Sequence, residues 1–169
     1  MNSPLTSSMG RLFDSVAALI GVADDARYEG EAAILLEAHA DTSETGSYDF
    51  TLLPPTDPAA PLTIDPTPVL SAILNDIAAQ TPAGVISARF HRAVVACIVA
   101  SARAAAKHAD TSYVALAGGV FMNRLVFGGA VEALASASLV PLTHRSLPVN
   151  DAAVSYGQAV VAWARRHGV

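Results

Sequence analysis

The chain has 169 residues, 52% hydrophobic and 15% charged, with a formal net charge of −5 and a pI near 5.4. That balance excludes intrinsic disorder as the default state and leaves room for one domain with a substantial core. With ten Lys and Arg in an acidic chain there is no electrostatic footprint for holding a nucleic-acid backbone, so no nucleic-acid partner is expected.

The single cysteine, Cys97, has no partner for an intrachain disulfide and reads as a small buried apolar residue in a reducing compartment. The longest strongly apolar stretch, Ala93 to Ala102, is far shorter than the ~20 residues a membrane span requires. The N-terminus does not read as a secretory signal. The expectation is a cytoplasmic protein with no membrane partner.

In chain order, "TSSMGRLFDSVAALIGV" opens with hydroxyl residues suited to a helix cap. Met9, Leu12, Phe13, Val16 and Ile20 then recur at spacings of three and four, one apolar stripe with Arg11 and Asp14 opposite, and Gly21 reads as the terminator. "YEGEAAILLEAHAD" predicts a second helix, starting near Glu29 and fading at Asp41. Prolines and turn residues break the next segment, where "SYDFTLL" and "LTID" predict short strands. "TPVLSAILNDIAAQ" predicts a helix capped by Thr67 with Pro68 in its first turn. "PAGVISARFHRAVVACIVASARAAAKHAD" predicts the longest helix, ending near Lys107 and His108, where cations suit the C-terminal dipole. "SYVALA" predicts a buried strand, "NRLVFGGAVEALASAS" a helix interrupted in propensity by Gly128 and Gly129, and "LVPLTH" another strand. "PVNDAAVSYGQAVVAWARRHG" closes the chain as a helix capped by Asn150 or Asp151. Helices followed by strand–helix–strand–helix make the class α/β.

Between the third strand and its helix stands "ALAGGVFMN". Ligands of open α/β sheets bind beyond the carboxyl ends of strands, and Gly118 and Gly119 would let a phosphate or sugar approach the main chain. The following helix start should offer amides without internal acceptors, which favour an anion, and Asn123 offers a donor and an acceptor to a ribose or substrate. An ordinary tight turn explains the same residues. Asp151 reads either as a cap or as a carboxylate ligand for a metal or metal-bound phosphate. Asp14 reads either as a solvated partner of Arg11 or as an acceptor for ribose hydroxyls. Glu29 and Gly30 read as a helix start or a close backbone approach to a ligand. The five histidines form no i, i+4 pair, so a metal site built wholly from this chain is not expected.

Taken together, "TSSMGRLFDSVAALIGV", "YEGEAAILLEAHAD", "ISARFHRAVV", "LAGGVFMNRLV" and "PVNDAAVSYGQAVVA" resemble, in order and spacing, the C-terminal part of HypF, the carbamoyltransferase family of nickel–iron hydrogenase maturation. The resemblance runs from about Leu5 to Trp163. It implies the latter half of a carbamoyltransferase domain with a partial, helix-rich actin/Hsp70/sugar-kinase (ribonuclease H-like) fold. It implies an ATP-dependent enzyme that makes carbamoyl adenylate from carbamoyl phosphate and ATP and transfers the carbamoyl group to the C-terminal cysteine of HypE. By the same resemblance, Asp14 matches the acidic position that holds the ribose, and Gly30 a glycine of a nucleotide-contacting loop. Gly118, Gly119 and Asn123 match the nucleotide- and substrate-binding turn, and Asp151 matches a ligand of a divalent metal, iron or zinc. No residue is assigned as catalytic.

Two positions depart from the family pattern: Ala152 stands where glycine is usual after the aspartate, and Ala117 where serine usually precedes the glycine pair. No CxxC motif and no HxxxH pair is present in these 169 residues. The expectation is therefore a piece that works with the remaining N-terminal part of HypF and does not catalyse the full reaction alone. The alternatives are a non-catalytic nucleotide-binding or interaction remnant, or a relative of O-carbamoyltransferases or tRNA threonylcarbamoyltransferases.

Overall fold

A computed structural model of the chain describes residues 5–55, 57 and 60–168. The first helix, α1 (Met9–Leu19), is capped by Ser8, whose hydroxyl accepts a hydrogen bond from the Arg11 amide. It ends where Gly21 turns the chain at φ +71°. The apolar stripe goes inward: Phe13, Val16 and Ala17 are buried, with Met9, Leu12 and Ile20 packed at the edge of the same core. Helix α2 (Glu31–His39) starts later than the sequence predicts, because Gly30 takes a left-handed conformation (φ +84°) that stops helix extension toward Glu29.

Strands β1 (Thr51–Leu53) and β2 (Thr63–Asp65) pair antiparallel with Leu52 opposite Ile64. Helix α3 (Thr67–Ala78) begins at Thr67, but Pro66 holds the cap position. The Asp65 carboxylate reaches forward to accept from the Thr67 amide at 2.9 Å, so the cap position is one residue earlier than expected and the capping bond comes from Asp65. Helix α4 (Ala83–His108) is the spine of the fold. Its Ile86, Phe90, Ala93 and Val94 join Phe13, Leu36, Val69 and Ile73 in the main core, and Phe13 meets Phe90 edge-on with centroids 4.9 Å apart. By length and composition alone this 26-residue helix could also cross a membrane, which its ten-residue apolar centre did not suggest; in the fold it carries the core.

The second half is a right-sized crossover unit. Strand β3 (Tyr113–Ala115) leads through a 3-10 turn (Gly119–Met122) into α5 (Arg124–Ser136), which returns to β4 (Val140–Leu142). β3 and β4 pair in parallel, with Val114 opposite Pro141. Leu116, Ala130 and Leu134 form a smaller core between strand and helix. Helix α5 runs unbroken through Gly128 and Gly129, the latter sitting against α4: a Cβ there would lie 3.0 Å from the Val95 side chain. Cys97 is buried in α4, and burial pushes its thiol pKa up. A peripheral network joins the loop after α2 to α3 and α4: the Tyr48 hydroxyl and Arg89 guanidinium both donate to Asp76, and Arg89 also reaches Glu44.

After a second 3-10 turn (Asp151–Ala153), α6 (Val154–His167) closes the described chain. None of its residues is buried, and it packs chiefly against the turn that precedes it. Val154, Tyr156, Val160, Val161 and Trp163 are all exposed, on more than one side of the helix.

Candidate functional site

The expected site residues fall into two neighbouring groups. The first is a recess at the start of α2, about 430 Å³, walled by Arg11, Asp14, Ala26, Tyr28, Glu29 and Gly30. Asp14 and Gly30, sixteen positions apart in the sequence, therefore face one opening. Asp14 is a quarter exposed and pairs with Arg11 at 3.1 Å. An ion pair as solvated as this one is worth roughly 0.2–1 kcal/mol and can open for a ligand. Gly30 has open space where a Cβ would stand, so a ligand can approach its backbone. Behind it the buried Glu31 carboxylate accepts from the Arg27 amide at 2.6 Å and from its guanidinium, which keeps the Glu31 pKa below the ordinary range. These bonds tie together the two ends of the 27–31 segment, whose Tyr28, Glu29 and Gly30 line the recess.

The second group is the turn at the carboxyl end of β3. Gly118 sits at φ +111°, a conformation that L side chains rarely adopt, and both Gly118 and Gly119 are exposed with open space beside them. The Gly118 amide donates to the Val149 carbonyl at 2.8 Å, and the Asn150 amide donates to Met122 Sδ at 3.2 Å. These two bonds bring the "PVND" loop against the glycine turn, 30 residues away in sequence, and set the exposed Asp151 beside it. Neither Asn150 nor Asp151 caps α6, whose cap position is Ala153 with no side-chain bond; Asn150 caps the 3-10 turn before it, its Oδ1 accepting from the Ala152 amide, which leaves the Asp151 carboxylate outside both caps.

Two expectations about this turn are corrected. The first turn of α5 is not a vacant anion seat, because the Arg124 amide donates to Glu37 Oε1 at 3.0 Å and the Val126 amide to Asn123 Oδ1 at 3.0 Å. A carboxylate from α2 already holds the place an anion would take. Asn123 is also not presented to solvent. It is 8% exposed, and its Nδ2 donates to His91 Nε2 at 2.9 Å while its Oδ1 caps α5. Both ends of its side-chain amide are thus engaged within the fold.

The two groups adjoin through α1. Phe13, the residue before Asp14, meets the His91 ring edge-on at 5.3 Å, and His91 binds Asn123. Val120 and Phe121 of the glycine turn pack against the core that contains Phe13 and Val16. His91 is the residue that sequence reasoning missed. It lies within the "ISARFHRAVV" segment that carries the resemblance, and the signal for a role of its own is a polar ring on the apolar face of a core helix.

Among the described residues no group of three or more His, Cys, Asp or Glu side chains could hold a metal ion. Asp151, a lone exposed carboxylate, does not by itself fit a resident divalent ion.

Comparison with known proteins shows the family. Residues 1–158 match the family model described as carbamoyltransferase, Kae1-like domain, second subdomain. The carbamoyltransferase HypF of Synechocystis is 37% identical over 156 residues, 92% of this chain and 19% of that protein. HypF2 of Cupriavidus necator is 34% identical over 188 residues, 98% of this chain and 23% of its own length. A solved full-length HypF in a phosphate- and nucleotide-bound form superposes with a TM-score of 0.85 at 36% identity, over 92% of this chain and 20% of that one. HypF of T. kodakarensis superposes with a TM-score of 0.75 at 27% identity, over 99% and 21%. The chain thus spans about a fifth of the length of these relatives.

Proposed function

Because this chain belongs to the HypF carbamoyltransferase family, we propose that it forms the nucleotide-facing wall of a carbamoyl-transfer site. In this reading the recess of Asp14 and Gly30 takes the ribose of carbamoyl adenylate, itself made from carbamoyl phosphate and ATP. The open backbone at Gly118 and Gly119 admits the phosphate, with Asn123 holding the turn and Asp151 offering one carboxylate ligand toward a metal completed by other residues. The acceptor is the C-terminal cysteine of HypE: its thiolate attacks the carbamoyl carbon, the bond to the AMP oxygen breaks, and AMP leaves. The remaining N-terminal part of HypF supplies the rest of the site, in the cytoplasm.

The observation that carries this reading is that Asp14 and Gly30, from separate elements, line one recess in which the Asp14 carboxylate is held, among the described residues, by a solvated ion pair. A ribose diol would exchange the Arg11 contact for two hydrogen bonds to a charged acceptor. Bonds to charged groups contribute ~1.5–3 kcal/mol each. A relative solved with phosphate and nucleotide bound supports the same ligand class. The test is ADP binding by calorimetry, for this chain combined with the upstream part of a HypF. Asp14→Asn should weaken ADP binding about ten- to hundredfold, the span those energies convert to. Unchanged affinity in the Asp14 variant would remove the reading. Carbamoyl transfer to HypE in the same reconstituted mixture then decides whether the wall serves catalysis or binding alone.

A further inference from the structure

We infer that His91 is the positioning residue of the glycine turn, acting as the Nδ1–H tautomer that fixes which end of the Asn123 amide caps α5. The inference rests on the proposed role of that turn for its consequence in ligand binding, and on geometry alone for the tautomer.

The proton assignments follow from partners that have no choice. His91 Nδ1 lies 2.8 Å from the Ser87 carbonyl, which can only accept, so Nδ1 carries the hydrogen. In the neutral ring Nε2 is then a bare acceptor, 2.9 Å from the Asn123 side chain. Only the NH2 end of the amide can face it, which sends Oδ1 to the Val126 amide at 3.0 Å. The reversed amide would set oxygen against a nitrogen lone pair and NH2 against N–H, losing both bonds. One step further back, the Ser87 hydroxyl donates to the Leu36 carbonyl at 2.6 Å. The relay therefore runs from α2 through α4 to the cap behind Gly118 and Gly119, and every member is buried or nearly so.

The ring packs edge-on against Phe13 and Phe90, with centroids 5.3 and 6.2 Å away. Burial pushes the His91 pKa down, which keeps Nε2 bare at neutral pH. The hydrogen bond to the Ser87 carbonyl and, less strongly, Glu37 on α2 work in the opposite direction. On its open side the ring borders a groove shared with Asp41, Glu44, Arg92, Arg103 and Glu132; α1 meets it with Phe13, and α5 with Asn123. A second proton on His91 would make both ring nitrogens donors, and Asn123 could satisfy Nε2 only by turning its oxygen away from Val126.

Nitrogen-15 NMR of the imidazole ring in the HypF-combined protein reads the tautomer directly. The expected result at pH 7.5 is a protonated Nδ1 and a bare Nε2 for His91; the opposite tautomer overturns the inference. Asn123→Asp supplies a second readout that mere packing would not move. A carboxylate cannot donate to Nε2, so the His91 titration should move up by a unit or more; an unmoved titration overturns the inference. For ligand binding, His91→Phe keeps the ring but removes the acceptor and should weaken ADP binding about tenfold, the cost of one mispositioned hydrogen bond. His91→Gln, whose Oε1 can accept from Asn123, should recover part of it. Equal loss in both variants would overturn the positioning role. If the unaltered protein binds no ADP at all, the nucleotide reading fails, while the tautomer and the Asp variant still decide this one.

Discussion

Glycine-to-alanine substitution should have opposite signs at two helical positions of this fold. Gly128 lies in the exposed interior of α5, and a Cβ there would meet nothing within 4 Å. Alanine is favoured over glycine in a helix by up to ~1 kcal/mol, so Gly128→Ala should stabilise the chain by about 0.5–1 kcal/mol. Gly84 is in the first turn of α4, where a Cβ would stand 2.7 Å from the backbone carbonyl of His39. That carbonyl cannot swing away as a side chain would. The end of α2 is held on α4 by the Asp41 amide donating to the Gly84 carbonyl at 2.9 Å and by the Ser87 hydroxyl donating to Leu36. Overpacking of this kind costs ~1–3 kcal/mol, which outweighs the propensity gain and leaves a net loss of about 1–2 kcal/mol. For a chain of this size each kcal/mol moves Tm by roughly 2–4 °C. Urea and thermal unfolding of the two variants side by side should show Tm rising for Gly128→Ala and falling by roughly 2–8 °C for Gly84→Ala. A rise of equal size at both positions would refute the packing of α2 on α4 as described.

Phe90→Ala should be the most damaging of the simple core truncations, losing ~3–5 kcal/mol in urea unfolding because Phe90 is fully buried against Phe13. Gly118→Ala should destabilise by about 1–2 kcal/mol from backbone strain at φ +111°, with intact secondary structure by circular dichroism; a neutral substitution would mean that the turn relaxes. Stability should fall in two stages on acidification. His91 is kept neutral by burial while the unfolded histidine takes up a proton below its ordinary value of 6.5, so unfolding is favoured as pH drops through that range. Hydrogen bonds and the Arg27 and Arg89 guanidinium groups hold Glu31, Glu44 and Asp76 below the ordinary carboxylate range, so their contribution is present above that range and lost as pH falls beneath it. Urea midpoints measured from pH 8 to pH 3 check this, and His91→Phe should abolish the upper stage alone.

The periodic parts of the fold were legible because their burial follows local spacing. The Phe13–Val16 stripe, the long α4 and the strand–turn–helix at Gly118 all appear where the sequence puts them, although β3, predicted as a buried strand, leaves Tyr113 and Ala115 exposed. What was not legible depends on partners distant in the chain. Nothing near Arg124 announces that Glu37, 87 residues earlier, will occupy the amide end of α5. Asn123 looked like a ligand group because its two hydrogen-bond ends are visible in the sequence, while the His91 that engages one of them is not adjacent to it. The neighbourhood of Gly118 and Asp151 likewise depends on a main-chain bond to Val149, which any residue type there could make, and on the reach of Asn150 to the Met122 sulfur.

The exposed aliphatic and aromatic side chains of α6 carry a consequence for handling the polypeptide. A cylinder that is greasy on several sides, joined to the body by little more than its own entry turn, is an adhesive surface for any molecule offering a similar one, including another copy of itself. Sedimentation of the isolated chain should therefore depend on concentration, and Trp163 fluorescence should report the moment at which water leaves that surface.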